Sequence, residues 1–223
     1  MPFAPLPKLR AEVVALSRRL HANGWVANHD GNLSVRLRGE RLLMTPTAYS
    51  KADVDDASLI ITDMQGRVLE GRKKPFSELE LHLAAYRARP EVDVVLHAHP
   101  PVATAFGLTG QALAPIAMPE VLVSLGDSIP TVPRAMPRTP EAVKGVEAAS
   151  AKVDAMLLSG NGALTLGPDL TLALLRMELV EHYAKILLAA RQLGPVEPLA
   201  PAEVTKLLEA RKKAGLGPRP PQG

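Results

Sequence analysis

The chain has 223 residues, a formal charge of +3, 47% hydrophobic and 22% charged residues, no cysteine and six histidines. A length in the single-domain range with an ordinary apolar fraction predicts one domain over 1–223, and the absence of cysteine excludes a disulfide framework, a zinc ribbon and a thiolate nucleophile. Any transition-metal site must be assembled from histidine, carboxylate and water, which makes the six histidines the first residues to place.

In chain order, Leu9, Val13, Leu16 and Leu20 recur at three- and four-residue spacing from Lys8 onward, and Asn23-Gly24 supplies a stop; an amphipathic first helix is expected. The turn-rich Asn28-His29-Asp30-Gly31-Asn32 leads into Leu33–Leu37, and a Gly-containing turn joins that run to Leu42-Leu43-Met44, the pattern of a hairpin. Leu59–Thr62 and Arg67–Leu69 predict a second hairpin. Ser77 with Glu80 three residues on is a capping-box pattern, with Phe76 and Leu81 as its staple, so a helix is expected from Ser77 to Arg89, before Pro90. Val92–His99 is a β-branched run ended by Pro100-Pro101, most simply a buried strand. Helices are expected over 140–151, 170–193 and 201–214, and strands over 155–158 and 163–166. The Pro/Gly-rich tail 215–223 is expected to be flexible. Hairpins mixed with helices, without a repeat or interior linker, indicate a single layered α/β domain.

The basic surplus is spread along the chain apart from Arg211-Lys212-Lys213, and aromatics make up 3% of residues, which argues against nucleic-acid binding. No apolar run approaches ~20 residues and the N-terminus lacks an apolar signal core, so the expected protein is cytoplasmic and not a membrane protein. Twenty-one prolines against four Asn and four Gln suggest a heat-adapted source, a thermophile.

Strand alternation puts His97 and His99 on one face, about 7 Å apart along the backbone, where two imidazoles can converge on one ion. A lone strand-end histidine more often satisfies backbone groups; a pair at the end of a buried apolar strand is less easily set aside. Glu78 lies in the expected first turn of the preceding helix, from which the chain returns toward the pair. The helix dipole also favours a carboxylate there, and His82 one turn on is an alternative partner. A His/His/carboxylate set leaves coordination positions open for Lewis-acid chemistry, and a carboxylate beside it could act as general base for proton removal next to a carbonyl. His182, on the long C-terminal helix, is read as structural.

Gly31-Asn32-Leu33-Ser34 begins a strand from a Gly-rich turn, Thr45-Pro46-Thr47 ends its hairpin partner, and Ser77 sits at a helix start. Together these offer amide, hydroxyl and backbone N–H donors suited to an anion, although each alone is common turn chemistry.

Taken in order, Gly31-Asn32-Leu33-Ser34-Val35-Arg36, Thr45-Pro46-Thr47, Ser77-Glu78, His97-Ala98-His99 and Gly162-Ala163-Leu164 after Met156-Leu157-Leu158 resemble the class II aldolase family, over about Lys8 to Gly194. The resemblance implies a single three-layer α/β/α domain with a mostly antiparallel central sheet, assembled as a homotetramer. It implies a divalent metal, normally Zn2+, held by Glu78, His97 and His99, with Glu78 also the catalytic acid/base. Gly31, Asn32, Thr47 and Ser77 would bind the substrate. The implied reaction is reversible cleavage of a ketose 1-phosphate of the L-fuculose 1-phosphate kind to dihydroxyacetone phosphate and an aldehyde, through an enediolate. Related epimerase, decarboxylase or dehydratase reactions, or a member with weak metal binding and little activity, are the alternatives. The chain departs from the family pattern at Asn161, where a third metal histidine is usual, leaving water or a residue such as His29 to complete the ion. It also departs at Thr47-Ala48 for Thr-Gly, at Phe76-Ser77 for Ser-Ser, and at Ala117-Met118-Pro119-Glu120, where no tyrosine stands for protonating the leaving aldehyde.

Overall fold

Apolar residues at every second position become the strands of one sheet whose two faces are both covered. The computed structural model describes residues 5–135 and 139–219. Helix α1 spans Leu6–Ala22, and the first hairpin is β1 (Asn32–Leu37) with β2 (Arg41–Met44). The second is β3 (Ile60–Asp63) with β4 (Val68–Glu70), followed by α2 (Leu79–Ala88) and β5 (Val94–Ala98). Then come α3 (Pro101–Leu108), α4 (Pro119–Leu125), β6 (Thr131–Val132), α5 (Pro140–Ser150), β7 (Ala155–Leu158), β8 (Ala163–Gly167), α6 (Leu170–Leu193) and α7 (Pro201–Lys213). The sheet order is β4-β3-β2-β1-β5-β8-β7-β6. Every pairing is antiparallel except β6 with β7, so the sheet is mixed and mostly antiparallel, as expected.

The alternation divides the core in two. Leu33, Val35, Val94, Leu96 and Leu157 pack with residues of α1, α3, α4 and α6, whereas Leu42, Met44, Val95, Met156 and Leu164 pack with α2 and α5. This is the three-layer α/β/α arrangement. His97 has the parity of Val95 and so lies on the α2 side, the side from which Glu78 comes.

The structure adds two helices to the expected elements and corrects one helix start. Pro100-Pro101 ends the strand but also starts α3, with a proline in its first turn, and Pro119 does the same for α4. Proline is favoured at the first helical position because its missing N–H costs nothing there. The helix expected from Ser77 begins at Leu79, with Glu78 as its N-cap residue and no side-chain cap. The capping box fails because Glu78 is turned out of helical geometry and its carboxylate is bound elsewhere.

Arg211, counted in the sequence with a basic terminal patch, is buried. Asp154 is 0% exposed and accepts from Arg89 at 3.0 Å, Arg176 at 2.8 Å and Arg211. One carboxylate thus ties α7, α6 and the end of α2 to β7. Within the expected tail, Leu216 N–H bonds Arg211 O and Arg219 N–H bonds Glu91; residues 220–223 lie outside the described residues. Replacing Asp154 by Ala leaves three buried guanidinium groups without their shared anion. Chemical denaturation of Asp154→Ala is expected to show a loss of about 3–5 kcal/mol.

Candidate metal centre

Three strands and one helix start converge on the site. Asn32, the first residue of β1, pairs across the sheet with His97 of β5, and Ala98 pairs with Ala163, the first residue of β8. The turn before β8 therefore delivers Asn161 to the same place. Gly162 makes that approach possible: its φ is +72°, and a Cβ there would stand 2.3 Å from Ala98 O and 2.5 Å from His99 Cδ2.

Glu78 is the centre of the hydrogen bonding. Its Oε2 accepts from Asn32 Nδ2 at 2.8 Å and from His97 Nδ1 at 3.0 Å, and its Oε1 accepts from Asn161 Nδ2. His97 also donates from Nε2 to the Asn161 carbonyl at 2.7 Å. Burial alone would raise the Glu78 carboxyl, but the His97 charge and the three donors outweigh it and hold the group well below the usual carboxylate range. Burial works against a charged His97, and Glu78 with the Asn161 carbonyl overcomes it, raising His97. Glu78 thus faces His97, both of whose ring nitrogens stand against acceptors.

His99 stands beside His97, ring centroids 5.0 Å apart and edge to face. Burial and the His97 charge lower its affinity for a second proton. Its Nε2 is buried without a partner, and so is Asn32 Oδ1. The expected pairing of Glu78 with His82 does not form: His82 is fully buried, bonds Ser34 Oγ at 2.7 Å, and burial pushes it down to about 3. His29 is exposed, faces Asn28 and takes no part in the cluster, and His182 is exposed on α6.

The anion cradle assembles in part. A bridge between Pro46 and Pro75, with Thr47 N–H donating to Lys74 O at 3.0 Å, brings Thr47 to the segment that carries Ser77. Gly31 is buried under Val26, and the Asn32 amide is committed to Glu78. Ala48, where the resemblance expects glycine, has φ +51°, the left-handed conformation that explains the usual glycine. Three groups near the site had only weak sequence signals: Asp30, hidden in a turn; Lys51, hidden in a polar stretch; and the run Arg72-Lys73-Lys74, whose Lys73 lies over the Tyr49 ring. Tyr183, distant in sequence from Ala117, places its hydroxyl against Ala117 N–H and Pro115 O.

Among the described residues no three His, Asp or Glu side chains already surround an ion-sized point. The donor types nevertheless fit a divalent ion: two imidazoles and a carboxylate stand in contact, and the orphaned His99 Nε2 is a ligand atom lacking a partner. Because His97 spends both N–H groups on protein acceptors, taking up an ion there must release its proton.

The model of the Class II Aldolase and Adducin N-terminal domain matches residues 11–188. The chain belongs to this family. It is 32% identical over 212 residues to a 5-methylthioribulose-1-phosphate/5-deoxyribulose-1-phosphate aldolase of Escherichia coli, covering 94% of this chain and 97% of the relative. It is 31% identical over 179 residues to a 3-oxo-tetronate 4-phosphate decarboxylase of Haemophilus influenzae, covering 78% and 84%. The solved structure of an L-fuculose 1-phosphate aldolase superposes with a TM-score of 0.86 at 26% identity, over 94% of this chain and 98% of that one. The family, the α/β fold and the central sheet expected from the sequence are thereby established.

Gly162→Ala must either shift the β5 end or strain a left-handed backbone. Denaturant titration is expected to show a loss of about 1–3 kcal/mol, with the His99 imidazole signals displaced in NMR spectra.

Proposed function

We propose that this chain is a metal-dependent lyase that reversibly cleaves a ketose 1-phosphate of the L-fuculose 1-phosphate kind to dihydroxyacetone phosphate and an aldehyde, through an enediolate. The observation that carries the reading is the Glu78 carboxylate, kept ionised in a largely buried position between His97, Asn32 and Asn161. A divalent ion, zinc in the first instance, would be held by Glu78, His97 and His99 and would supply Lewis-acid polarisation of substrate oxygens. Glu78 takes the proton beside the substrate carbonyl in the condensing direction and returns it in cleavage. Thr47 and Ser77 hold the phosphate, and the exposed Arg72-Lys73-Lys74 run beside them draws a dianion toward the cradle.

A cavity of about 30 Å³ adjoins Asn161 and is lined by Leu81, Val132, Pro133, Ala135 and Leu158 among others. An aldehyde with a short apolar end is the expected second product, in keeping with the deoxy and methylthio substrates named for the Escherichia coli relative. Decarboxylation of a 3-oxo acid phosphate is the second reading. It is favoured by the absence of a tyrosine at Ala117, since a carboxylate leaves as carbon dioxide without the hydroxyl proton transfer that aldol cleavage requires. A homotetramer in the cytoplasm belongs to the same proposal; exposed Leu175 and Leu188, on different sides of α6, offer apolar surface for assembly, and no helix among the described residues is long and apolar enough to cross a membrane.

The test is a product screen of the zinc-loaded protein on ketose 1-phosphates and on 3-oxo acid phosphates, reading dihydroxyacetone phosphate and carbon dioxide separately. Glu78→Gln is expected to lower turnover by at least about 100-fold while the protein keeps its native circular dichroism spectrum; full activity in that variant removes Glu78 from the mechanism. Asn161→His is expected to raise zinc affinity by more than the ~10-fold that a partner outside the ligand set is worth, read by competition with a chelating dye.

A further inference from the structure

His99 has a neighbour that belongs to none of the expected site residues. Asp30 Oδ2 stands 3.4 Å from His99 Nδ1. The carboxylate is fixed in its turn, because Oδ1 accepts the Ala27 N–H at 2.5 Å and the Asp30 N–H donates to Ala27 O at 3.0 Å. His99 is fixed as well, its main-chain N–H bonded to Trp25 O at 2.8 Å. Lys51, 2% exposed, lies within electrostatic reach of Asp30, and its amine donates to Tyr49 O at 2.9 Å.

A neutral imidazole has one N–H and one lone pair, and the group beside one nitrogen decides what the other nitrogen presents. A carboxylate beside Nδ1 favours the proton there and leaves the lone pair on Nε2. That nitrogen is the buried atom without a partner. A carboxylate behind a histidine ligand also increases the basicity of the ligating nitrogen. The effect counts for more here, because Asn161 leaves the site with two imidazoles instead of three and His97 is already engaged at both nitrogens.

We propose that Asp30 is a positioning residue of this site: fixed by its bonds to Ala27, it keeps the His99 proton on Nδ1, so that Nε2 remains a lone-pair donor for the divalent ion. The proposal rests on the reading of the site as a metal centre.

Long-range proton–nitrogen NMR of the metal-free protein, with His99 assigned by the loss of its signals in His99→Gln, reads the tautomer directly. The wild type is expected to carry the proton on Nδ1. Asp30→Ala is expected to shift His99 toward the Nε2-protonated form and to weaken zinc binding about 10-fold in dye competition. Asp30→Asn, which keeps an acceptor for the Ala27 N–H, is expected to fall between the two; should Asp30→Ala not fold, it decides on the same two readouts. An unchanged tautomer with zinc affinity within about twofold of wild type overturns the proposal. If the wild type takes up no divalent ion, the metal-centre reading fails, and the tautomer measurement still decides the role of Asp30.

Discussion

The register of β1 on β5 is the constraint on which the site depends. Asn32 opposite His97 fixes one edge of the cluster, and β8 on the other side of β5 fixes the second edge by delivering the turn with Asn161. A slip of one residue in either pairing would turn His97 toward the opposite layer, because side chains alternate between faces. The alternation of β1, with Leu33, Val35 and Leu37 in one core, and the packing of β5 and β8 into a core on each face prevent that slip. The layered core is therefore what gives a polar cluster of four side chains its geometry.

Within that frame, electrostatics sets the chemistry. Burying a carboxylate and an imidazolium costs several kcal/mol per ion, and the pair persists only when the remaining valences are satisfied. Three donors reach Glu78 and both nitrogens of His97 find acceptors. Asn161 contributes to both partners, through its amide to Glu78 and its carbonyl to His97. Where the resemblance expects a third imidazole, this chain has a residue that ties the Glu78 carboxylate to the protein. The same principle operates at Asp154, where one buried anion joins three arginines and holds the C-terminal helix.

Most of the architecture could be read from periodicity. The hairpins, the buried β5 and the long α6 follow from spacing and stop signals, and His97, His99 and Glu78 could be chosen because an alternating strand and a nearby helix start leave few other places for them. What escaped the sequence had physical reasons. Pro100-Pro101 was legible as the end of a strand but also starts a helix, and no spacing signal marked the helix that Pro119 starts, since proline suits breaks and first turns alike. Ser77 looked like a cap, yet Glu78 has better partners across the sheet than the helix end provides. Asp30, Lys51 and the contact of Tyr183 with Ala117 are long-range meetings or burials of ordinary residues, which spacing along the chain cannot reveal.

The most direct measurement of the central claim is anomalous diffraction at the zinc edge from crystals of the zinc-loaded protein. One strong peak is expected, bonded to His99 Nε2, His97 and Glu78, with the His97 bond to the Asn161 carbonyl or to Glu78 given up. A zinc peak elsewhere, with His97 still bridging Glu78 and Asn161, would contradict it.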